Sequence, residues 1–181
     1  MNEMQNGPDW KAKKILKGKT IIVTGCSSGI GLETARTIKK LGGDVIGIDV
    51  NKTTEHVDEL YIADLSDKCA IQALILALPK DTDGIANIAG LPPTALAETV
   101  IKVNLVGLKY FTEGMIPKLA NGASIVNLAS LAGFGWPNSI EQIKESADLD
   151  FDEVAGFVQR HGIAEEKGRS YFFSKEALIV W

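Results

Sequence analysis

Short apolar runs alternate with segments of helical periodicity along residues 20–128. Aliphatic and β-branched residues dominate each run, which is typical of strands that are buried on both faces. The predicted strands cover residues 20–24, 45–49, 60–63, 84–88 and 124–128. Apolar positions three or four residues apart predict the intervening helices, at residues 30–41, 69–78 and 97–119. Alternating strands and helices predict an α/β protein whose doubly wound parallel sheet is covered on both sides, in three layers.

Stop signals and apolar faces support the predicted helices. Gly42 and Gly43 end the first helix, and Pro79 ends the second. The first helix repeats apolar or β-branched positions at Ile30, Thr34, Ile38 and Leu41. One face of the long third helix carries Val100, Val103, Gly107, Phe111 and Met115.

The pattern changes between residues 134 and 168, where acidic residues are frequent. Two short helices are predicted there, followed by a last helix from near Ser170 to Trp181. Residues 1–18 form a polar N-terminal extension with a short helical pattern. We therefore predict one domain over residues 19–181, with a distinctive segment at residues 134–168.

Composition and charge narrow the possible functions. The chain has 181 residues, of which 45 % are hydrophobic, enough for one globular core. Its net charge of −4 argues against nucleic acid or an anionic membrane as the main partner. The start of the chain lacks the apolar region of a signal peptide, and no stretch approaches the ~18 apolar residues of a membrane span. These features predict a cytoplasmic protein.

Cysteine and histidine residues give no metal or disulfide signal. Cys26 and Cys69 lack the spacing of a metal or redox pair, so we predict reduced thiols, with Cys26 filling a tight turn. His56 and His161 are expected at the surface or in loops. No metal site is predicted.

A glycine-rich turn between the first strand and the first helix is the clearest chemical signal. It comprises Gly25, Cys26, Ser27, Ser28, Gly29, Ile30 and Gly31. The first glycine permits a tight turn, the second lets the backbone approach a pyrophosphate, and the third lets the helix pack closely on the strand. Backbone N–H groups at the helix start would then face the phosphates, which predicts a dinucleotide site.

An acidic residue at the end of the second strand indicates which dinucleotide is bound. Asp49 lies 18 residues after Gly31, where a carboxylate accepts hydrogen bonds from the adenosine ribose and repels a 2′-phosphate. No arginine or lysine occupies residues 26–28 or Val50, and Lys52 is the one nearby cation. NAD is therefore favoured over NADP.

Six motifs, in this order along the chain, resemble those of the short-chain dehydrogenase/reductase family, whose members have a Rossmann-type fold. The glycine spacing T-G-x-x-x-G-I-G is the first. The others are Asp64-Leu65, the segment Asn87-Ile88-Ala89-Gly90, Asn104, Ser130, and the Tyr171-x-x-x-Lys175 pair. The resemblance implies an NAD-dependent oxidoreductase that interconverts a secondary or aromatic allylic alcohol and its carbonyl.

The resemblance also implies a role for each motif. Asp64, Leu65, Asn87, Ala89 and Gly90 would contact the cofactor. Tyr171 would be the general acid/base, with Lys175 one turn later stabilising the phenolate and binding the nicotinamide ribose. Ser130 would hold the substrate oxygen, and Asn104 would position a water molecule and Lys175. Family members usually form dimers or tetramers.

Two departures from the family pattern stand out. Ser130 and Tyr171 are 41 residues apart, and a similar insertion marks a branch acting on hydroxysteroids and an aromatic allylic alcohol. Phe134, Trp136, Phe151 and Phe157 in this insertion would either contact a ring-bearing substrate or pack on the body of the protein. The chain also stops at Trp181, so we expect a truncated chain that lacks the family's C-terminal strands.

Three functions stay open at this point. The first is an NAD-dependent alcohol dehydrogenase or carbonyl reductase, and the second is a catalytically inactive dinucleotide-binding chain. The third is an epimerase or dehydratase of an extended branch, which prefers two residues between its first two glycines. The spacing of three residues here argues against the third.

Overall fold

The computed structural model describes residues 14–181. These residues cluster into two units. The first comprises residues 14–62, 80–88 and 119–126, and the second comprises residues 63–79, 89–118 and 127–181. Most of the predicted extension over residues 1–18 lies outside the described residues, and the prediction of one domain stays a prediction.

A five-stranded sheet lies in the first unit, in the order β3-β2-β1-β4-β5. Its strands are β1 (Thr20–Thr24), β2 (Asp44–Asp49), β3 (Glu59–Ile62), β4 (Thr82–Asn87) and β5 (Leu119–Asn127). β1 pairs in parallel with β2 and with β4, and β2 pairs in parallel with β3. Val23 in β1 is in register with Gly47 on one side and Ala86 on the other. The predicted α/β class and parallel sheet are confirmed.

The first helix, α1 (Gly29–Lys40), packs through two small residues and through one of the larger positions in the predicted repeat. Its buried positions are Gly31, Ala35 and Ile38. Of the periodic positions, Ile38 is buried, whereas Ile30 is 60 % exposed. Gly31 lies against the backbone of the glycine turn, so the small-residue face of the helix is the one that can approach closely. The core beside it contains Val23, Cys26, Ala35, Ile38, Val45 and Ala86.

The edge strand β5 departs from the prediction of strands buried on both faces. Ile125 is 39 % exposed and Val126 is 60 % exposed, and both lie on the last strand of the sheet order. β5 also starts earlier than residue 124, because the predicted third helix does not reach Leu119. Successive side chains of a strand point to opposite faces, so both faces of β5 are partly uncovered, unlike those of β1.

The predicted helix over residues 97–119 is helical but not uniform. It consists of α3 (Ala97–Ile101), a π-helical segment (Lys102–Gly107), α4 (Leu108–Met115) and a 3₁₀ turn (Ile116–Lys118). The prediction overran its end because Pro117 has no N–H and cannot continue an α-helix. The five positions predicted on its apolar face are all buried.

The remaining helices of the second unit agree with the prediction in type and number. α2 spans Lys68–Ala77, and the inserted segment holds α5 (Ile140–Glu145) and α6 (Val154–Arg160). Two 3₁₀ turns precede them (Leu131–Gly133 and Trp136–Ser139), and α7 (Arg169–Val180) follows. Within residues 14–181, no helix combines the length and the apolar character needed to cross a membrane.

Candidate functional site

The glycine turn has the backbone geometry that its spacing predicts. Gly25 and Gly29 have positive φ angles of 72° and 52°, which favour glycine over any other residue. A Cβ atom on Gly31 would lie 1.9 Å from the Gly25 carbonyl oxygen, so only glycine fits there without a backbone shift. A Cβ atom on Gly29 would meet no atom within 4 Å outside its chain neighbours and its own helix backbone. Ser28 is extended and precedes the first helical residue, so the N–H groups of the first turn have no partner within the helix.

Asp49 is tied directly to this turn. Its carboxylate accepts hydrogen bonds from the Ser27 N–H and from the Asn51 N–H, each at 2.9 Å. Burial alone would raise the pKa of Asp49, but these hydrogen bonds outweigh it and hold the pKa below the usual aspartate value. The Ser27 N–H therefore holds the ribose-binding candidate in place. Oδ1 of the same carboxylate also accepts a longer hydrogen bond from Asn51 Nδ2 at 3.4 Å.

Cys26 fills the turn, as predicted. The residue is fully buried, and its Sγ atom lies 2.6 Å from where a Cβ on Gly47 would be. Burial and the nearby Asp49 charge raise the pKa of the Cys26 thiol to about 11. The side chain is a packing residue at neutral pH, because the reactive thiolate is scarcely populated.

Asn87 lies at the end of β4, still within the first unit. It is buried, with 2 % of its surface exposed. The next residue, Ile88, donates its N–H to the Thr24 hydroxyl at 2.9 Å. The carboxyl ends of the adjacent parallel strands β1 and β4 are thereby linked, which is the edge where α/β sheets bind ligands.

Asp64 and Leu65, both predicted to contact the cofactor, lie at the start of the second unit. Asp64 is exposed, and its carboxylate accepts the Ser66 N–H at 2.8 Å, which folds the chain into a short turn. Leu65 is buried, and its carbonyl oxygen lies 1.9 Å from where a Cβ on Gly107 would be. The π-helical segment can approach this carbonyl because residue 107 is glycine.

Asn104 holds the loop that follows the N-x-A-G motif. It is 1 % exposed and lies in the π-helical segment. Its Oδ1 accepts the Leu91 N–H at 2.7 Å, and its Nδ2 donates to the Leu91 carbonyl at 3.0 Å. Gly90 lies beside the same amide, since a Cβ atom on it would be 3.3 Å from Asn104 Oδ1. The expectation that Asn104 positions a water molecule and Lys175 stays a prediction.

Tyr171 and Lys175 lie one turn apart on α7, as the spacing predicts. The Lys175 Nζ atom is 5.8 Å from the centre of the Tyr171 ring. Nζ also donates to the Leu128 carbonyl at 2.6 Å, and burial lowers the pKa of the Lys175 ammonium. The phenol is half-buried, so it can meet both a substrate and a buried cation.

Ser130 starts the 3₁₀ turn that packs on the same helix. Its Oγ atom accepts the Ala132 N–H at 3.2 Å, which caps the turn. Gly133 in this turn lies so close to α7 that a Cβ would be 2.6 Å from the Lys175 carbonyl oxygen. The sequence reasoning missed Gly133 and the Leu128 carbonyl. A glycine three residues after Ser130 was the available signal for close packing.

The aromatic residues of the insertion divide into two pairs. Phe151 and Phe157 are buried, and Phe157 packs on Phe173 of α7 with ring centres 5.4 Å apart. Phe134 and Trp136 are 85 % and 38 % exposed. Packing is therefore the role of the first pair, whereas the second pair is free to contact a ligand.

No metal centre is evident in the described part of the chain. Residues 14–181 contain no cluster of three His, Cys, Asp or Glu side chains that could hold an ion. His56 is exposed, as expected. His161 Nε2 is hydrogen-bonded to Glu145 Oε2 at 2.8 Å. Cys26 and Cys69 are both free thiols.

Residues 19–141 match the family model described as short chain dehydrogenase. The chain belongs to the short-chain dehydrogenase family. This family member is 43 % identical to coniferyl-alcohol dehydrogenase of Pseudomonas sp. strain HR199, over 92 % of this chain and 65 % of the relative. It is 28 % identical to 3-alpha-hydroxysteroid dehydrogenase/carbonyl reductase of Comamonas testosteroni, over 88 % and 63 %. It thus spans less than two thirds of the length of these relatives.

Solved structures share the fold of this short-chain dehydrogenase. The 3-alpha-hydroxysteroid dehydrogenase from Pseudomonas sp. B-0831, complexed with NADH, superimposes with a TM-score of 0.72 at 23 % identity, covering 88 % of this chain and 62 % of that one. The Thermoplasma acidophilum aldohexose dehydrogenase gives 0.66 at 22 % identity, covering 91 % and 58 %. The predicted Rossmann-type fold is confirmed.

Proposed function

We propose that the chain is the cofactor-binding and catalytic part of an NAD-dependent alcohol dehydrogenase or carbonyl reductase. The observation that carries this proposal is the arrangement on α7. The Lys175 ammonium lies 5.8 Å from the Tyr171 ring, and the turn that Ser130 caps packs on the same helix at Lys175. A phenol and a cation on one helix, with a hydroxyl at the start of a turn packed against it, are the groups that alcohol–carbonyl interconversion requires.

The residues of the first unit fit a dinucleotide. A pyrophosphate fits the open side of Gly29 and the N–H groups that the helix start leaves unused. A ribose fits the Asp49 carboxylate. Ser27, Ser28, Ile30 and Asn87 would complete this set. The Asp49 charge, held in its ionised form by two N–H donors, would repel a 2′-phosphate, so NAD is preferred over NADP.

The second unit would manage the proton. When bound, the nicotinamide ring supplies the hydride acceptor or donor. Tyr171 would accept the hydroxyl proton during alcohol oxidation and return it during carbonyl reduction. Lys175 stabilises the phenolate by its charge and would hold the nicotinamide ribose, and Ser130 would donate a hydrogen bond to the substrate oxygen. Asn104 would keep the Leu91 loop and a water in place.

The substrate we propose is a ring-bearing alcohol. Phe134 and Trp136 follow Ser130 closely and expose aromatic surface, whereas the other two inserted phenylalanines are buried in packing. The coniferyl-alcohol relative supports an aromatic allylic alcohol, and the hydroxysteroid relative supports an alicyclic one. Assembly into dimers or tetramers stays a prediction.

Turnover and binding test the proposal separately. With NAD and either coniferyl alcohol or a 3α-hydroxysteroid, we expect reduced cofactor to accumulate, which is measured by absorbance. We expect NADH to bind, which is measured by fluorescence titration. Tyr171→Phe should lower kcat at least about 100-fold with NADH binding retained, because it removes the general acid/base. Tyr110→Phe is the matched control, since it loses only a hydrogen bond from Gln72 in the same unit.

Each contrary result has a distinct meaning. Normal turnover by Tyr171→Phe would remove Tyr171 from the mechanism. NADH binding without turnover of any alcohol would favour the inactive dinucleotide-binding chain. Failure to bind NADH would contradict both.

A further inference from the structure

A buried charged cluster lies where the inserted segment meets α7. Arg169 donates from Nη1 to Glu176 Oε2 at 2.9 Å and from Nη2 to Ser139 Oγ at 2.8 Å. The Glu176 side chain is only 7 % exposed, and that of Arg169 is 23 % exposed. A carboxylate this shielded is strongly destabilising if its charged partner is removed. We call Arg169, Glu176 and Ser139 the Arg169 clamp.

The clamp lies on the opposite side of α7 from the proposed chemistry. Arg169, Phe173 and Glu176 are spaced by four and three residues, so they share one helix face. Tyr171 and Lys175 share another face, roughly on the far side of the helix. The Arg169 guanidinium also lies over the Phe173 ring at 5.7 Å. The clamp residues therefore lie on a different face of α7 from Tyr171 and Lys175.

The segment over residues 131–139 is fixed to α7 at both ends. At its start, Gly133 lies against the Lys175 carbonyl. At its end, Ser139 is held by Arg169, and a Cβ on Gly135 would lie 2.8 Å from Glu176 Oε1. Ser130 immediately precedes this segment and caps its first turn. The two attachments thus connect Ser130 to the helix that carries Tyr171.

We propose that Glu176, acting through Arg169, is a positioning residue that holds residues 131–139 on α7 and so sets the Ser130 hydroxyl relative to the Tyr171 phenol. This inference rests on the proposed function, because the roles of Ser130 and Tyr171 belong to it. The planar guanidinium donates in two fixed directions, one to each partner, which specifies geometry in a way that an apolar contact does not. Stability alone does not account for the pair, since apolar residues of similar volume often serve as well.

Two variants and one control test the clamp. Glu176→Gln removes the buried charge at constant shape, and Ser139→Ala removes one hydrogen bond while leaving the ion pair intact. Ser139→Ala therefore tests the proposal even where Glu176→Gln fails to fold. Glu141→Gln is the matched control, because Glu141 forms an exposed pair with Lys144 at 2.8 Å within the same insertion.

Two readouts are measured on each variant, amide hydrogen exchange of residues 131–139 and steady-state kinetics. We expect exchange to accelerate about tenfold or more in the two clamp variants and to stay unchanged in the control. We also expect kcat to fall about 10- to 100-fold, with NADH affinity and substrate KM within about twofold. Loss of stability alone would not produce this split between kcat and KM.

The outcomes separate this inference from the proposed function. Unchanged exchange in both clamp variants would overturn the clamp, and faster exchange with normal kcat would overturn its positioning role. Absence of turnover in the unaltered protein would count against the proposed function, while the exchange data would still decide whether the clamp holds residues 131–139.

Discussion

At Gly31, a hydrogen atom in place of a side chain decides how closely α1 approaches the turn after β1. A Cβ there would lie 1.9 Å from the Gly25 carbonyl oxygen and 2.6 Å from its carbon. Both atoms belong to the backbone, so neither can rotate away as a side chain would. The third glycine of the motif is thus needed for this close contact, which places the start of α1 against the turn.

The first prediction concerns this contact. Gly31→Ala should displace α1 from the turn, lower stability by about 1–3 kcal/mol and weaken NADH binding at least about tenfold. Gly156→Ala in α6 is the matched control, because its Cβ would meet only the Arg160 side-chain end at 3.3 Å. Urea unfolding and NADH titration measure both effects. An unchanged NADH affinity in Gly31→Ala would contradict the role of the turn.

Asp49 shows how local hydrogen bonds keep a buried carboxylate charged. Burial favours the neutral acid, whereas the Ser27 and Asn51 N–H groups favour the anion and prevail. A pKa lowered in the folded state means that the unfolded chain binds the proton more readily. The stabilisation is therefore present above the ordinary aspartate pKa of about 3.9 and is lost as pH falls through the folded-state pKa.

The second prediction follows from this loss of stabilisation at low pH. Between about pH 5 and pH 3, the unfolding temperature of the unaltered protein should fall more steeply than that of Asp49→Asn. The exposed Asp148→Asn serves as the control and should follow the unaltered protein. Thermal unfolding over a pH series decides the matter, and parallel curves for all three proteins would refute it.

At the scale of elements, the sequence predicts the existence and type of a helix or strand better than the residues at which it begins and ends. Gly42-Gly43 and Pro79 mark real helix ends, because glycine and proline act locally on the backbone. The π-helical segment at Lys102–Gly107 has no such local signal, and its Gly107 meets the Leu65 carbonyl, which is distant in the sequence. The exposure of β5 likewise depends on what packs on its two faces, which periodicity does not encode.

The third prediction belongs to α2. The Asp67 carboxylate accepts the Cys69 and Ala70 N–H groups at 2.8 and 3.3 Å and thus caps the helix start. Asp67→Ala should lower the free energy of unfolding by about 1 kcal/mol while NADH binding is retained. Asp67→Asn keeps an acceptor and should lose much less. Equal losses in the two variants would show that the cap is not responsible.

At the scale of the whole molecule, the candidate site could be predicted only where motifs are local. The glycine turn with Asp49, and the Tyr171–Lys175 pair, follow from short spacings. Ser130 lies 41 residues before Tyr171, and its place on α7 depends on tertiary packing of the inserted segment. Family resemblance supplied that assignment, and no spacing rule reveals the Arg169 clamp.

The fourth prediction links binding to folding. NADH at about 100 times its Kd should stabilise the protein by about 2.7 kcal/mol, which raises the unfolding temperature by about 5–10 °C. NADPH at the same concentration should give a smaller shift, because the Asp49 carboxylate would repel the additional phosphate. Differential scanning fluorimetry compares the two, and equal shifts would contradict the preference for NAD.

The contrast between the two thiols has a practical consequence. Cys26 is sealed in the glycine turn with a pKa of about 11, whereas Cys69 lies exposed near the start of α2. The sequence contains no other cysteine. A maleimide dye added near neutral pH therefore attaches at one known point without any engineering, and the unmodified sequence can carry a single fluorescent reporter.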